Sequence, residues 1–283
     1  MEAMKVAFGY SPADEGGVMF CGLAAGRIET GELEVKLISA PLPALNDRAS
    51  RGELEATMIS AAVYPYLRSR YVLARCGASF ASGGGPVLAA REPMGEDRLA
   101  KASVAVPDST SSATMALQLS RPGMRTRLLP ADKITQAAKM GLADCALLAH
   151  SDAAACRRSG LYCVADVAFG WAESTGNLPL PLTCLAIRSD LAPEVRLRIE
   201  EALRASIRYT MEHPAEAARF LRNNGTNGSA PLAGAALDPG AYVSESALGI
   251  DDPQRRALEE FFRRGCEARL LPNALPLEFA DGR

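Results

Sequence analysis

The chain has 283 residues, 48% hydrophobic and 23% charged, with 31 Lys and Arg against 33 Asp and Glu for a formal net charge of −2. This is the balance of a globular protein long enough for two lobes, and its scattered cations exclude a phosphate-backbone footprint, so no nucleic-acid partner is expected. No run approaches the ~20 apolar residues that span a bilayer, and the opening MEAMKVAFGYSP lacks a signal-peptide core, so neither a membrane nor export is expected and the cytoplasm is the expected location.

The first ninety residues alternate strand and helix signals. Lys5–Tyr10 reads as a strand, Gly17–Ala25 as a helix, Leu33–Ser39 as an alternating strand, and Leu42–Arg51 as a helix stopped at Gly52. Glu55–Ser60 reads as a strand and Ala61–Arg70 as a helix. Tyr71–Cys76 and Pro86–Arg91 are two further strands, separated by the glycine-rich GASFASGGG at 77–85. That loop is as readily a plain turn as a ligand-facing one, since it carries no nucleotide fingerprint. The βαβαβα order predicts a mainly parallel sheet with helices on its faces.

A second set of elements starts near Ala102. Ser103–Pro107 reads as a strand, followed by the N-cap candidates Asp108 to Ser112 and a helix over Ala113–Leu119. Thr126–Leu129 is a strand, Ala131–Met140 a helix, Asp144–Ala149 a strand, Ser151–Arg158 a helix and Cys163–Val167 a strand. The stiff return Leu178-Pro179-Leu180-Pro181-Leu182 leads into a strand over Leu182–Arg188. The remainder is helical at Pro193–His213, Pro214–Asn223 and Asp252–Cys266. These elements predict a discontinuous first lobe of residues 1–91 with 186–283 and a second lobe of 92–185, joined by two hinges. A cleft between such lobes can close on a small ligand.

Seven cysteines, an odd number without a CxxC pair, lie mostly in apolar runs and read as free thiols in a reducing compartment. No Cys or His spacing recurs, so no metal is expected. His150 is one of two histidines and follows the apolar run CALLA, placing it past a strand's carboxyl end, where ligand crevices of open α/β sheets lie. Its position admits two readings, an ordinary core histidine or a proton-transfer group with a pKa near neutrality. His213, at the end of a helix before Pro214, reads as a cation complementing the helix dipole.

Several segments together resemble one family, the 1,4-dihydroxy-6-naphthoate synthases of the futalosine route to menaquinone, and less closely their sister chorismate dehydratases. They are Ser11-Pro12 with Phe20, Leu45-Asn46 with Ala49, Ile59-Ser60 with Tyr64, GASFASGGGPVLAAR at 77–91 and VAVPDSTSSA at 104–113. GLADCALLAH at 141–150, GLYCVADVAFGWAESTGNLPLPL at 160–182 and SIRYTMEHPAEAARFLRNN at 206–224 complete the set. The resemblance implies a two-lobed, periplasmic-binding-protein-like (type II) α/β fold with an interlobe cleft and no transport role. It implies conversion of cyclic dehypoxanthine futalosine to 1,4-dihydroxy-6-naphthoate, with no metal or redox cofactor.

By the same resemblance, His150 falls where the family places the base that starts ring opening. Ser111 and Ser112 fall on a Ser/Thr pair at a helix N-terminus, where free N–H groups and the dipole favour a substrate carboxylate; simple N-capping is the other use of these residues, and both can hold. Ser60 and the Gly83–Gly85 loop, with Gly84 and Gly85, are expected to line the cleft, and Trp171 and Tyr64 to pack on the flat part of the substrate, although buried aromatics are commoner in cores. The chain departs from the family pattern at four places. Ser11-Pro12-Ala13-Asp14-Glu15-Gly16-Gly17 replaces Ser-Pro-Cys-Pro-Asn-Asp-Thr, and His150-Ser151 replaces His-Glu. Gly170-Trp171 replaces tandem tryptophans, and Thr183-Cys184 replaces Gly-Gly. Two other functions share the scaffold: a binding protein for a small aromatic or carboxylated ligand, and a chorismate-dehydratase-like lyase.

Overall fold

The computed structural model describes residues 4–12, 15–148, 156, 160–224, 243 and 245–282. The chain forms two compact units: Met1–Ser79 with Thr183–Asp252 and Ala274–Arg283, and Phe80–Leu182 with Pro253–Asn273. Each is built on its own mixed sheet.

The first unit contains β1 (Met4–Tyr10), β2 (Leu33–Ser39), β3 (Ala56–Ser60), β4 (Tyr71–Leu73) and, across its boundary with the second, β5 (Ser79–Ala81) and β11 (Leu180–Arg188). The order is β2-β1-β3-β11-β4, with β5 pairing β11. β1 runs parallel to β2 from Met4↔Leu33 to Tyr10↔Ser39 and parallel to β3 at Phe8↔Ala56 and Gly9↔Thr57. β11 is antiparallel to both β3 and β4, so this sheet is mixed where the βα alternation predicts a mainly parallel one. A late strand that enters from the second unit has no need of a crossover helix, and its direction was not encoded in the local pattern.

All five residues of β3 are buried, as expected for a strand covered on both faces. The helices over this sheet are α1 (Cys21–Ala24, preceded by a 3-10 turn at Glu15–Phe20), α2 (Leu42–Ser50) and α3 (Tyr64–Leu67). Val6, Phe8, Leu45, Leu54 and Met58 form its core together with Ile199, Leu203 and Ile207 of a long helix over Pro193–Glu212. That helix also ties down the 3-10 turn through polar groups: Ser206 Oγ donates to the Met19 carbonyl at 2.7 Å and Thr210 Oγ1 to that of Val18 at 3.2 Å. His213 caps its carboxyl end, the ring stacked on Tyr209 with centroids 4.0 Å apart.

The second unit orders its sheet β10-β6-β9-β7-β8, from β6 (Val87–Ala90), β7 (Ser103–Val106), β8 (Arg125–Leu128), β9 (Cys145–Leu148) and β10 (Tyr162–Asp166). β7 is parallel to β8 and β9, whereas β6 is antiparallel to β9 and β10. All four residues of the edge strand β8 are exposed, and its two arginines suit an unpaired edge. The helices here are α4 (Glu96–Leu99), α5 (Ser112–Ser120), α6 (Ala131–Lys139) and α7 (Val167–Thr175). The carboxyl-terminal part of the chain adds α8 (Pro193–Glu212) and α9 (Pro214–Asn224) to the first unit and α10 (Asp252–Glu267) to the second.

α10 departs from the expected division, which gave everything after residue 186 to the first lobe. Phe261 packs edge-on against Trp171 with centroids 5.7 Å apart, and Arg264 donates to the Ser174 carbonyl at 2.6 Å. Its apolar stripe finds its partner in α7, an element the sequence reading passes over. The helix expected over Ser151–Arg158 lies, apart from Cys156, outside the described residues.

Candidate functional site

In the first sheet the chain leaves β1 toward β2 and then returns past it to β3. The carboxyl ends of β1 and β3 therefore flank a topological switch point, the place where open α/β sheets present ligands. Uncharged polar side chains gather at this edge. Ser11 follows β1, Ser60 ends β3, and Thr183 of β11 stands opposite Ser60 in the antiparallel register. Ser60 N–H donates to Asn46 Oδ1 of α2 at 3.1 Å, and Ser79 Oγ and Thr183 Oγ1 share a hydrogen bond of 2.7 Å.

Two buried side-chain atoms in this group, Ser11 Oγ and Asn46 Nδ2, make no hydrogen bond. An unsatisfied buried polar group costs about 1–3 kcal/mol, so each calls for an explanation. The first turn is drawn tightly onto the same edge. A Cβ on Gly17 would overlap the Ser11 carbonyl oxygen, and one on Gly16 would lie 2.6 Å from Met58 Cε and 3.4 Å from Thr183 Oγ1. Two of the departures from the family pattern, at Gly16 and Thr183, are thus neighbours. The thiol of Cys184, next to Thr183, is pushed up to about 12 by burial and is no nucleophile near neutrality.

In the second unit, α5 begins at the Ser111-Ser112 pair, and both hydroxyls are used by the fold. Ser111 is the N-cap: its Oγ accepts from Thr114 N–H at 3.1 Å and lies 2.8 Å from Thr114 Oγ1. Ser112 is buried, and its Oγ donates to the Leu182 carbonyl at 2.7 Å. The capping use is therefore realised.

The Gly83–Gly85 loop is likewise explained by local structure. Gly84 has φ +61° and donates its N–H to Asp166 Oδ2 at 3.1 Å, the same carboxylate that caps α7 by accepting from Phe169 N–H at 3.0 Å. Gly85 is buried, and a Cβ there would lie 2.5 Å from that of Ala168. The glycine lets α7 dock on the loop. A cavity of about 360 Å³ on this unit is lined by Ser120, Arg121, Asp166 and Glu173, with Arg121 tied to Glu96, and none of the sequence-predicted site residues reaches it.

The two aromatic residues expected at the ligand are core residues in the structure. Trp171 is fully buried; its indole N–H donates to the Pro179 carbonyl at 3.2 Å and Arg264 lies over its ring at 5.4 Å. Tyr64 is also fully buried in the first unit, with its hydroxyl 3.4 Å from the Glu278 carbonyl and its pKa raised to about 12, chiefly by burial. Neither offers a face for stacking. His150 lies outside the described residues; β9 ends two positions before it, at Leu148.

Ser11, Asn46, Ser79 and Thr183 entered the sequence reasoning only inside longer motifs, none with a role of its own. Their signal was positional. A polar residue closing an otherwise apolar strand, such as Ser11 after KVAFGY or Ser60 after ATMI, marks a strand's carboxyl end. Asn46 and Thr183 needed the register to be seen.

Comparison with known proteins gives the family. A family model described as menaquinone biosynthesis matches residues 7–267. A 1,4-dihydroxy-6-naphthoate synthase of Thermus thermophilus is 32% identical over 98% of this chain and 99% of its own, and one of Streptomyces coelicolor is 28% identical over 96% of each. Among solved structures, a protein of Archaeoglobus fulgidus superposes with a TM-score of 0.85 at 28% identity, covering 94% of this chain and 98% of that one. An alkanesulfonate-binding protein of Xanthomonas axonopodis pv. citri, bound to MOPS, gives 0.67 at 14% identity over 96% of each chain, which shows a shared solute-binding-protein fold. With a family match across nine-tenths of its length, and a relative more than 30% identical end to end, this chain belongs to the menaquinone-biosynthesis family, alongside the naphthoate synthases.

Proposed function

We propose that this chain is a 1,4-dihydroxy-6-naphthoate synthase that takes cyclic dehypoxanthine futalosine to 1,4-dihydroxy-6-naphthoate in menaquinone biosynthesis. The observation that carries the reading is the alignment with two enzymes of that name across 98% and 96% of the chain. The reaction begins when neutral His150 removes a proton from the substrate and the ring opens by elimination. Imidazole suits that step, because the ordinary pKa of a histidine lies near neutrality.

The substrate is a small molecule that carries a carboxylate. Its carboxylate is held by main-chain N–H groups in the first turn of α5, because the hydroxyls of Ser111 and Ser112 are already engaged. Ser60, at the end of β3, and the Gly84-Gly85 turn are further substrate contacts. The partner is thus a small carboxylated molecule, and the enzyme works in the cytoplasm; among the described residues no helix is long and apolar enough to cross a membrane.

The test is product analysis. Purified protein is incubated with cyclic dehypoxanthine futalosine and, separately, with chorismate, and the mixtures are resolved by liquid chromatography. Naphthoate from the first alone is the expected result. Binding of the futalosine derivative without product would make the chain a binding protein, and consumption of chorismate alone would make it a dehydratase-like lyase.

A further inference from the structure

Asn46 is half satisfied. Its Oδ1 accepts from Ser60 N–H at 3.1 Å, which fixes the amide's orientation, since a flip would set two donors against each other. Nδ2 is therefore the orphan, held beside the end of β3 with its donors unused. Ser11, with no exposed surface, carries a second unused donor past the end of β1. The two strands are adjacent and parallel, and α2 bridges them: Leu45 lies where a Cβ on Gly9 would meet it at 2.8 Å, and the next residue reaches Ser60. Folding has thus placed two unspent donors at one switch point.

Burial of donors without acceptors is retained where an acceptor arrives from elsewhere. We infer that Ser11 Oγ and Asn46 Nδ2 are substrate-binding groups that together donate to an acceptor oxygen of the substrate. The inference rests on the reading under Proposed function and adds two residues to it. Both donors are uncharged and, being neutral, they suit a hydroxyl or carbonyl oxygen of the substrate. Asn46 also positions Ser60, because one amide serves the strand end and the ligand at once.

The test compares Ser11→Ala and Asn46→Asp with the wild-type protein. Asn46→Asp keeps an acceptor for Ser60 N–H and replaces the amide donors with a second carboxylate oxygen, and the uncharged Asn46→Ala, measured beside it, separates the loss of donors from the added charge. Steady-state kinetics and the thermal shift produced by cyclic dehypoxanthine futalosine are measured for each. The expected result is a KM raised about tenfold in each variant, with kcat changed by less than about threefold. The ligand-induced thermal shift should shrink in each, and ligand-free Ser11→Ala should melt no lower than wild type, because it loses an unsatisfied group. Unchanged KM and unchanged thermal shift in every variant would overturn the inference and leave the orphan atoms to trapped water. If the wild-type protein binds the compound without turning it over, the enzymatic reading fails, while the thermal shifts still decide whether these two donors hold the ligand.

Discussion

The carboxyl edge of the first sheet and the tip of α5 both collect serines, and they use them in opposite ways. At α5 every hydroxyl named by the sequence is spent on the fold, Ser111 on the cap and Ser112 on the Leu182 carbonyl. At the sheet edge Ser11 Oγ and Asn46 Nδ2 are left unspent. The contrast teaches that a polar side chain near a presumed ligand is not evidence of contact with it. What counts is whether its bonding capacity is already used. On this view the hydroxyls of α5 belong to the fold, whereas the sheet edge keeps two donors in reserve.

The largest expected effect belongs to neither region. Replacing His150 with alanine removes the proposed base while leaving both sets of donors, so kcat should fall by roughly 10²–10⁴-fold. KM and the melting temperature should stay close to wild type. Near wild-type turnover in this variant would mean that the donors alone do the work, and the base would have to be sought elsewhere.

Next in size is Trp171→Ala, which asks whether the second unit contributes any side chain to binding. With the ring fully buried against Phe261 and beneath Arg264, the variant should lose about 3–5 kcal/mol of stability in denaturant titrations. KM of the folded protein should not move. A raised KM at unaltered stability would return the indole to the ligand.

How much of this was legible in the sequence follows the same division. Strands such as Leu33–Ser39, and helices with a clear cap and period such as Leu42–Ser50, could be placed almost to the residue. α7 was hidden by its composition: VAFGWAEST carries little amphipathic contrast, although Asp166 before it and Gly176 after it, with φ +68°, were readable caps. The direction of β11 and the docking of α10 on α7 depend on contacts distant in sequence, which periodicity does not carry. The same holds for the site. Ser60 and the Ser111-Ser112 pair could be named from their segments, but which of their atoms are free is a property of register and packing.

The smallest effect gives the sharpest test of the comparison. In Ser112→Ala the Leu182 carbonyl loses the hydroxyl that donates to it at 2.7 Å, in a residue that is 3% exposed. Losing one buried hydrogen bond and stranding its acceptor should cost about 1–3 kcal/mol, read as a lower denaturant midpoint at constant slope. Alanine retains the main-chain N–H and sustains a helix, so a carboxylate held by the first turn of α5 should keep its donors, and KM should remain within about twofold of wild type. The opposite pattern, a much larger KM with stability intact, would mean that this hydroxyl turns to the substrate when it binds. The two serine-rich regions would then work alike, and the distinction between donors spent on the fold and donors in reserve would fail at its strongest point.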